Sequence, residues 1–382
     1  MACLLSEREL TEGNVRLIIQ PEDGVVPIVH GINRAEKSIE IAIFRFDHID
    51  IKHALEKAVA RNVTVRALVA NTNRGEERQL RRLEMSLLPA GIEVARTADD
   101  LLRYHYKFMI VDRKVLYLLA FNFTHLDIER SRSFGIITDN PDIVHEAAKL
   151  FEADVKRQAY SPELENFVVS PVNARQLLSG FIEQAEQQLL IYDPEISDHR
   201  MIRRLRDRVR AGVEIRIIGR VDKPSRTWAT HDHMRMRFHT RTIIRDRQQA
   251  FIGSQSLREA ELDHRRELGL IVHNHEVVHA LVKVFERDWA SSNTSRGKDQ
   301  TAIAGANGGV KKVAKAVVRE LPMEPLVAKA LKHALRGIPE VPGARNVFEH
   351  RVEDALREAV EDAVSAIVRQ TLQAGRGRRV NA

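Results

Sequence analysis

Two stretches decide how this chain reads: Tyr104-His105-Tyr106-Lys107-Phe108-Met109-Ile110-Val111-Asp112 and, later, His239-Thr240-Arg241-Thr242-Ile243-Ile244-Arg245-Asp246. Residues two apart on an extended segment share a face, so His105 and Lys107 point together and an apolar run then carries the strand inward to an aspartate. Such a face can hold a phosphate. The second stretch repeats the frame with arginine in place of lysine, 134 positions further on.

The two copies also share their downstream landmarks. Asn122 stands seventeen residues after His105, and Gly253-Ser254-Gln255-Ser256 fills the corresponding window after His239. Twenty-eight residues after each histidine lie Arg132-Ser133-Phe134-Gly135-Ile136-Ile137 and Arg266-Glu267-Leu268-Gly269-Leu270-Ile271. A lone His-x-Lys carries little weight; two copies with three landmarks at equal spacings carry a great deal.

These residues resemble the phospholipase D superfamily, whose signature is histidine, any residue, lysine, four residues and aspartate, then a Gly-Ser-x-Asn segment and a downstream acid. The resemblance covers roughly residues 14 to 291. It implies one active site built from two halves: two pseudo-symmetric α/β/α sandwiches with mixed sheets packed together, here followed by a C-terminal helical extension. It also implies a two-step route through a phosphohistidine. On that pattern His105 is expected to be the nucleophile and His239 the acid, with Lys107, Arg241, Asn122 and Ser254 donating to the phosphate and Glu267 orienting a histidine. No metal and no cofactor is implied.

The match has departures. Arg241 replaces the second lysine, Ser256 the second asparagine, and Leu119-Ala120 the first Gly-Ser. Ser133 stands where the first half should carry its acid, and a hydroxyl cannot stabilise an imidazolium charge. The sequence therefore leaves His105 without a carboxylate from its own half. Asp112 and Asp246 read as structural acceptors behind the motif. His231, His233, His273, His275 and His279 match no closed ligand spacing with cysteine or carboxylate and read as solvated or capping residues.

The composition is that of an ordinary globular protein, with 43% hydrophobic and 30% charged residues over 382 positions. A single cysteine, Cys3, excludes an intrachain disulfide and suits a reducing compartment. No secretory signal and no run of eighteen apolar residues is visible, so a cytoplasmic protein is expected, with peripheral contact at the inner membrane surface as an extension of that reading. The net charge of +7 is concentrated at the end: residues 296–382 hold sixteen Lys or Arg against ten Asp or Glu. The doubled region is thus nearly neutral, which disfavours a nucleic-acid stripe and favours a phospholipid substrate.

Along the chain, apolar alternation and helical spacing predict strand, helix and strand with short turns, the pattern of a parallel sheet covered by helices. The expected divisions are a first half at 1–160, a second at 161–295, and a linker with a helical tail at 296–382. Ser38 and Gln188 are 150 apart while the histidines are 134 apart, so the first half carries about sixteen extra residues, assigned to a helix at Gln79 to Leu88. The tail predicts amphipathic helices at 310–321, 326–335 and 347–372, docked on the core or on another copy of the chain, with an anionic membrane as the alternative. The leading function is phospholipase D-like hydrolysis or phosphatidyl transfer on phospholipids. A nuclease of the same superfamily and a non-catalytic phosphate-binding module with an oligomerising tail are the competing readings.

Overall fold

A computed structural model of the protein describes residues 14–71, 77–222, 228–232, 236–291 and 293–294. Residues 295–382 form a separate unit outside the described residues, and the three tail helices expected from the sequence fall there.

The first half runs β1 (Val15–Gln20), α1 (Val26–Arg34), β2 (Ser38–Ile43), α2 (Ile49–Ala60), β3 (Thr64–Val69), α3 (Glu77–Leu87), β4 (Glu93–Arg96), β5 (Arg103–Tyr104), β6 (Phe108–Val111), β7 (Val115–Leu119), α4 (His125–Glu129), β8 (Ser131–Thr138) and α5 (Pro141–Lys156). The second half runs β9 (Phe167–Ser170), α6 (Ala174–Glu183), β10 (Gln188–Ile196), α7 (His199–Arg210), β11 (Glu214–Val221), β12 (Ala229–Asp232), β13 (Arg237–Phe238), β14 (Arg241–Arg245), β15 (Gln249–Gly253), α8 (Glu259–Asp263), β16 (Arg265–Val272), α9 (His275–Ser291) and β17 (Asn293–Thr294). The first sheet is ordered β1-β8-β7-β6-β2-β3-β4, and the second repeats it as β9-β16-β15-β14-β10-β11-β12. Both are mixed: β2, β3 and β4 pair in parallel while β6, β7 and β8 return antiparallel. The helix α3, between β3 and β4, falls where the extra residues of the first half were assigned.

Period-two burial explains how the second sheet is covered on both faces. Leu189 and Ile191 of β10 pack into a cluster with α6, α7 and α8, while Leu190 and Tyr192 join the larger core shared with the first half and α9.

The motif aspartates close the scaffold. Asp112 and Asp246 take positive φ of 53° and 51°, a region that aspartate tolerates. The Asp112 carboxylate accepts the backbone N–H groups of Glu36, Lys37 and Ser38 at 2.7–3.2 Å, and Asp246 accepts those of Glu186, Gln187 and Gln188 at 2.7–3.0 Å. Each thereby ties the β-hairpin behind its motif to the start of the central strand.

Short exchanges lock the halves together. The two-residue β5 of the first half pairs in parallel with β16 of the second, and β13 of the second pairs with β8 of the first. Arg132 on β8 binds Asp288 on α9 at 2.7 Å, and its counterpart Arg266 on β16 binds Asp154 on α5 at 3.1 Å. Both arginines are buried; loss of Asp154 would leave the Arg266 charge without a carboxylate among the described residues, at a cost of about 3–5 kcal/mol, whereas Arg132 also binds Glu22 at 2.6 Å.

Candidate active site

Because β5 pairs with β16 and β13 with β8, each motif histidine is delivered next to the opposite half. The His105 backbone N–H donates to the Arg266 carbonyl at 2.8 Å, and that of His239 to the Arg132 carbonyl at 3.1 Å. This exchange settles which histidine Glu267 meets, a pairing the sequence did not give. Glu267 does not serve the histidine of its own half; its carboxylate lies 3.0 and 3.1 Å from His105 Nδ1. His105 therefore has a buried carboxylate partner, and Ser133 at the symmetric position binds only the His239 backbone carbonyl, at 3.2 Å.

The Lys107 ammonium lies against both nitrogens of the same imidazole, 3.2 Å from Nδ1. Its Nζ is 3.0 Å from His105 Nε2 and 2.5 Å from the His105 carbonyl oxygen. Phe44 packs edge-on to the ring, with centroids 5.0 Å apart. Arg241, on the first residue of β14, donates through Nε to Ser256 Oγ at 3.2 Å, while its Nη1 is buried with no hydrogen-bond partner among the described residues. Asn122 donates through Nδ2 to Asp127 at 2.7 Å. Ser254 is differently engaged: its hydroxyl donates to the Leu268 carbonyl and accepts the Leu268 N–H, at 3.3 and 3.2 Å. It braces β16 beside Glu267.

Two acids escaped the sequence reading. Asp127 on α4 accepts the Asn122 backbone N–H at 2.9 Å, lies 3.6 Å from His239 Nδ1 and is bonded by Arg237. Glu261 on α8 stands 134 positions later, accepts the Ser256 backbone N–H at 2.7 Å and lies 3.8 Å from Arg241. The repeat spacing that links His105 to His239 also links these two acids, and it was the one signal available for them.

Burial sets the protonation states. It lowers the His105 imidazole well below its ordinary range, and the nearby Lys107 and Arg241 charges lower it further. Burial also lowers His239 strongly; Asp127 opposes that shift, and Arg241 and Lys107 add to it. The Lys107 ammonium is brought down to about 7 by desolvation, against the pull of Glu267. Glu267 is raised by burial, against Lys107. Asp127 is raised by burial but lowered on balance by His239, Arg237 and the Asn122 hydrogen bonds. The arrangement is a desolvated pair of neutral imidazoles flanked by two cations, a setting that an incoming anion would complete.

The other histidines singled out from the sequence have separate duties. His231 stacks on Trp289 with ring centroids 3.7 Å apart and its Nδ1 lies 3.2 Å from the Trp289 carbonyl oxygen; His275 and His279 stack along α9. His233 lies outside the described residues.

The chain is similar to known proteins. A family model described as "Cardiolipin synthase, PLD-like domain" matches residues 28–155 and 178–289, one segment in each half. Mitochondrial cardiolipin hydrolase of Danio rerio is 29% identical over 123 residues, covering 31% of this chain and 53% of that protein. The chain thus aligns with about half the length of this curated relative. Among solved structures, polyphosphate kinase from Porphyromonas gingivalis superposes with a TM-score of 0.61 at 20% identity, covering 72% of this chain and 50% of that one. Phosphatidylserine synthase from Haemophilus influenzae Rd KW20 gives 0.56 at 11% identity, covering 73% and 87%. At these identities the likeness is one of fold.

Proposed function

The chain belongs to the phospholipase D superfamily, and from that premise we propose that it is a phosphodiesterase or phosphatidyltransferase acting on phospholipid head groups through a phosphohistidine. One observation carries the reading: a buried imidazole, His105, has the Glu267 carboxylate at Nδ1 and the Lys107 ammonium against its ring nitrogens, while the Arg241 charge lowers both motif histidines. The curated relative with cardiolipin hydrolase in its name and the near-neutral charge of the doubled region support a lipid over a nucleic acid.

In the proposed first step, Glu267 accepts the His105 Nδ1–H and fixes the tautomer that leaves a lone pair on Nε2. Nε2 attacks phosphorus, the bond to the head-group oxygen breaks, and His239 gives its proton to that leaving oxygen. The substrate anion offsets Lys107 and Arg241, which raises the affinity of His239 for the proton it must hold. Charge building on the phosphoryl oxygens meets Lys107 and Arg241, and removal of one such donor costs on the order of 3 kcal/mol of transition-state stabilisation. In the second step water or an alcohol gives its proton to His239 and its oxygen to phosphorus as the N–P bond breaks. Asp127 steadies His239, in place of the acid that position 133 lacks.

No helix among the described residues is long and apolar enough to cross a membrane. Access to lipid is therefore proposed to be peripheral.

The test uses liposomes of cardiolipin or phosphatidylcholine with wild-type and His105→Ala protein. Head-group release by wild type, its loss in the variant at unchanged thermal stability, and an acid-labile phosphorus adduct trapped on His105 are expected. Equal release by both proteins refutes the reading. Metal-independent cutting of DNA or RNA without lipid turnover makes the protein a nuclease instead, and phosphate binding without either activity makes it a binding module.

A further inference from the structure

A second cluster lies on the other side of α4 from the chemistry. His48, at the N-terminal boundary of α2, meets His125 and Glu129, which are one helical turn apart on α4. The ligand-capable atoms of the three side chains all lie within 4.8 Å of one another. His125 Nδ1 is 2.9 Å and His48 Nε2 is 3.5 Å from Glu129 Oε1, and the two rings stack with centroids 4.1 Å apart. The His48 side chain is 1% exposed, yet neither of its ring nitrogens has a hydrogen-bond partner among the described residues. Among the described residues Nε2 has the long Glu129 contact and Nδ1 no hydrogen bond, so this buried ring calls for an explanation.

The second half supplies it. The backbone frame is the same in both: Asp47 and His48 N–H donate to the Phe123 carbonyl, while Ser197 and Asp198 N–H donate to the Leu257 carbonyl. At the repeat spacings, His48 corresponds to Asp198, Glu129 to Asp263 and Val25 to Arg175. In the second half Arg175 bridges the two carboxylates, at 2.7 Å to Asp198 and 2.5 Å to Asp263. The corner between these helices is thus a seat for a cation. In the first half valine replaces the arginine, one carboxylate becomes an imidazole, and a second imidazole, His125, is added.

We propose that His48, His125 and Glu129 bind a divalent transition metal of the zinc class. Two imidazole nitrogens and one carboxylate oxygen suit that class, whereas calcium and magnesium take all-oxygen shells. Four tetrahedral bonds of about 2.0 Å place neighbouring ligand atoms about 3.3 Å apart, close to the 2.9 and 3.5 Å separations at Glu129. Coordination turns the His125 ring out of its stack; its side chain is 35% exposed. Such an ion would join α2 to α4 on both sides of Asp127, the residue beside His239. Its effect on the reaction would be positional.

No sequence pattern marks this site, because His48 and His125 are 77 residues apart and match no ligand motif. The experiment uses full-length, metal-free protein titrated with Zn2+ and, separately, with Co2+. Wild type is expected to take up one equivalent more than His48→Ala, with the visible absorption of four-coordinate cobalt and a zinc-dependent rise in Tm. A second variant, Val25→Arg with His48→Asp and Glu129→Asp, installs the ionic corner of the other half. It should keep the fold while losing the extra equivalent, the cobalt spectrum and the zinc-dependent Tm shift. Identical metal uptake and spectra for wild type and this triple variant overturn the proposal, because any binding then belongs to other histidines. So does a wild type that binds neither metal.

Discussion

Replacing Glu267 by glutamine keeps the shape and removes the charge beside the proposed nucleophile. The carboxylate is fully buried 3.0 Å from His105 Nδ1, and the imidazole becomes positively charged as Nε2 bonds to phosphorus. At an effective dielectric of about 20, a charge pair at that distance is worth about 5 kcal/mol. A glutamine carbonyl still accepts the Nδ1–H, and a neutral hydrogen bond retains about 1 kcal/mol of that. A loss of about 3–4 kcal/mol in the transition state lowers kcat by roughly 10²–10³-fold. The same change acts on Lys107. Its ammonium, needed to hold the phosphate, is present below about 7 and lost as pH rises through that value, and Glu267 is what supports it against burial. The alkaline limb of kcat/KM should therefore move to lower pH in the variant. Liposome assays across pH 5 to 9 measure both effects. A variant within threefold of wild type refutes the reasoning; a large loss with the limb unmoved would show that Glu267 only supports the fold.

Three further outcomes are expected. Lys107→Met should abolish turnover yet stabilise the protein at pH 6: the buried ammonium is depressed from 10.5 to about 7, a penalty of about 5 kcal/mol. Because the folded value lies below the unfolded one, that penalty is complete below about pH 7 and fades towards pH 10.5, so urea midpoints of the two proteins should converge at high pH. His239→Ala should lose lipid turnover but retain attack on a bis(p-nitrophenyl) phosphodiester, whose leaving group needs no acid; equal loss on both substrates would deny His239 that role. Asp246→Ala should cost about 2 kcal/mol by freeing three backbone N–H groups, measured as a lower denaturation midpoint with kcat unchanged.

Much of the fold was legible because the chain states it twice. The paired motifs, the apolar strands and the Ser38 to Gln188 register give the common succession of elements along the two halves, and the excess of the first half points to α3. The partnering of Glu267 was not legible. A repeat offset aligns equivalent residues, whereas a pseudo-twofold site brings together residues that are not equivalent, and only the β5–β16 and β13–β8 pairings reveal the exchange. Those strands have two residues each, too few for any periodic signal. Asp127 and Glu261 sit on five-residue helices for the same reason invisible to pattern, and an aspartate aligned with a glutamate does not announce a repeat. The helix α9 was hidden differently: its histidines drew attention from an apolar stripe of Val277, Val278, Leu281 and Phe285 that packs into the shared core.

The exchange also changes what the degenerate motifs mean. Taken half by half, each copy has lost something: the first its acid at 133, the second its lysine and its second asparagine. Taken across the twofold, the losses fall on one side. His105 keeps a lysine in contact and a carboxylate at hydrogen-bonding distance, both buried. His239 has an arginine that is turned to Ser256 and an acid at 3.6 Å whose oxygens are also claimed by Asn122 and Arg237. A nucleophile must present one nitrogen in one tautomer throughout, which favours a short carboxylate contact. A proton carrier must change state twice per turnover, which favours a longer one. On the proposed mechanism, then, the asymmetry tracks the division of labour between the two imidazoles, and substitutions that look like decay within either half are the ones each separate task tolerates.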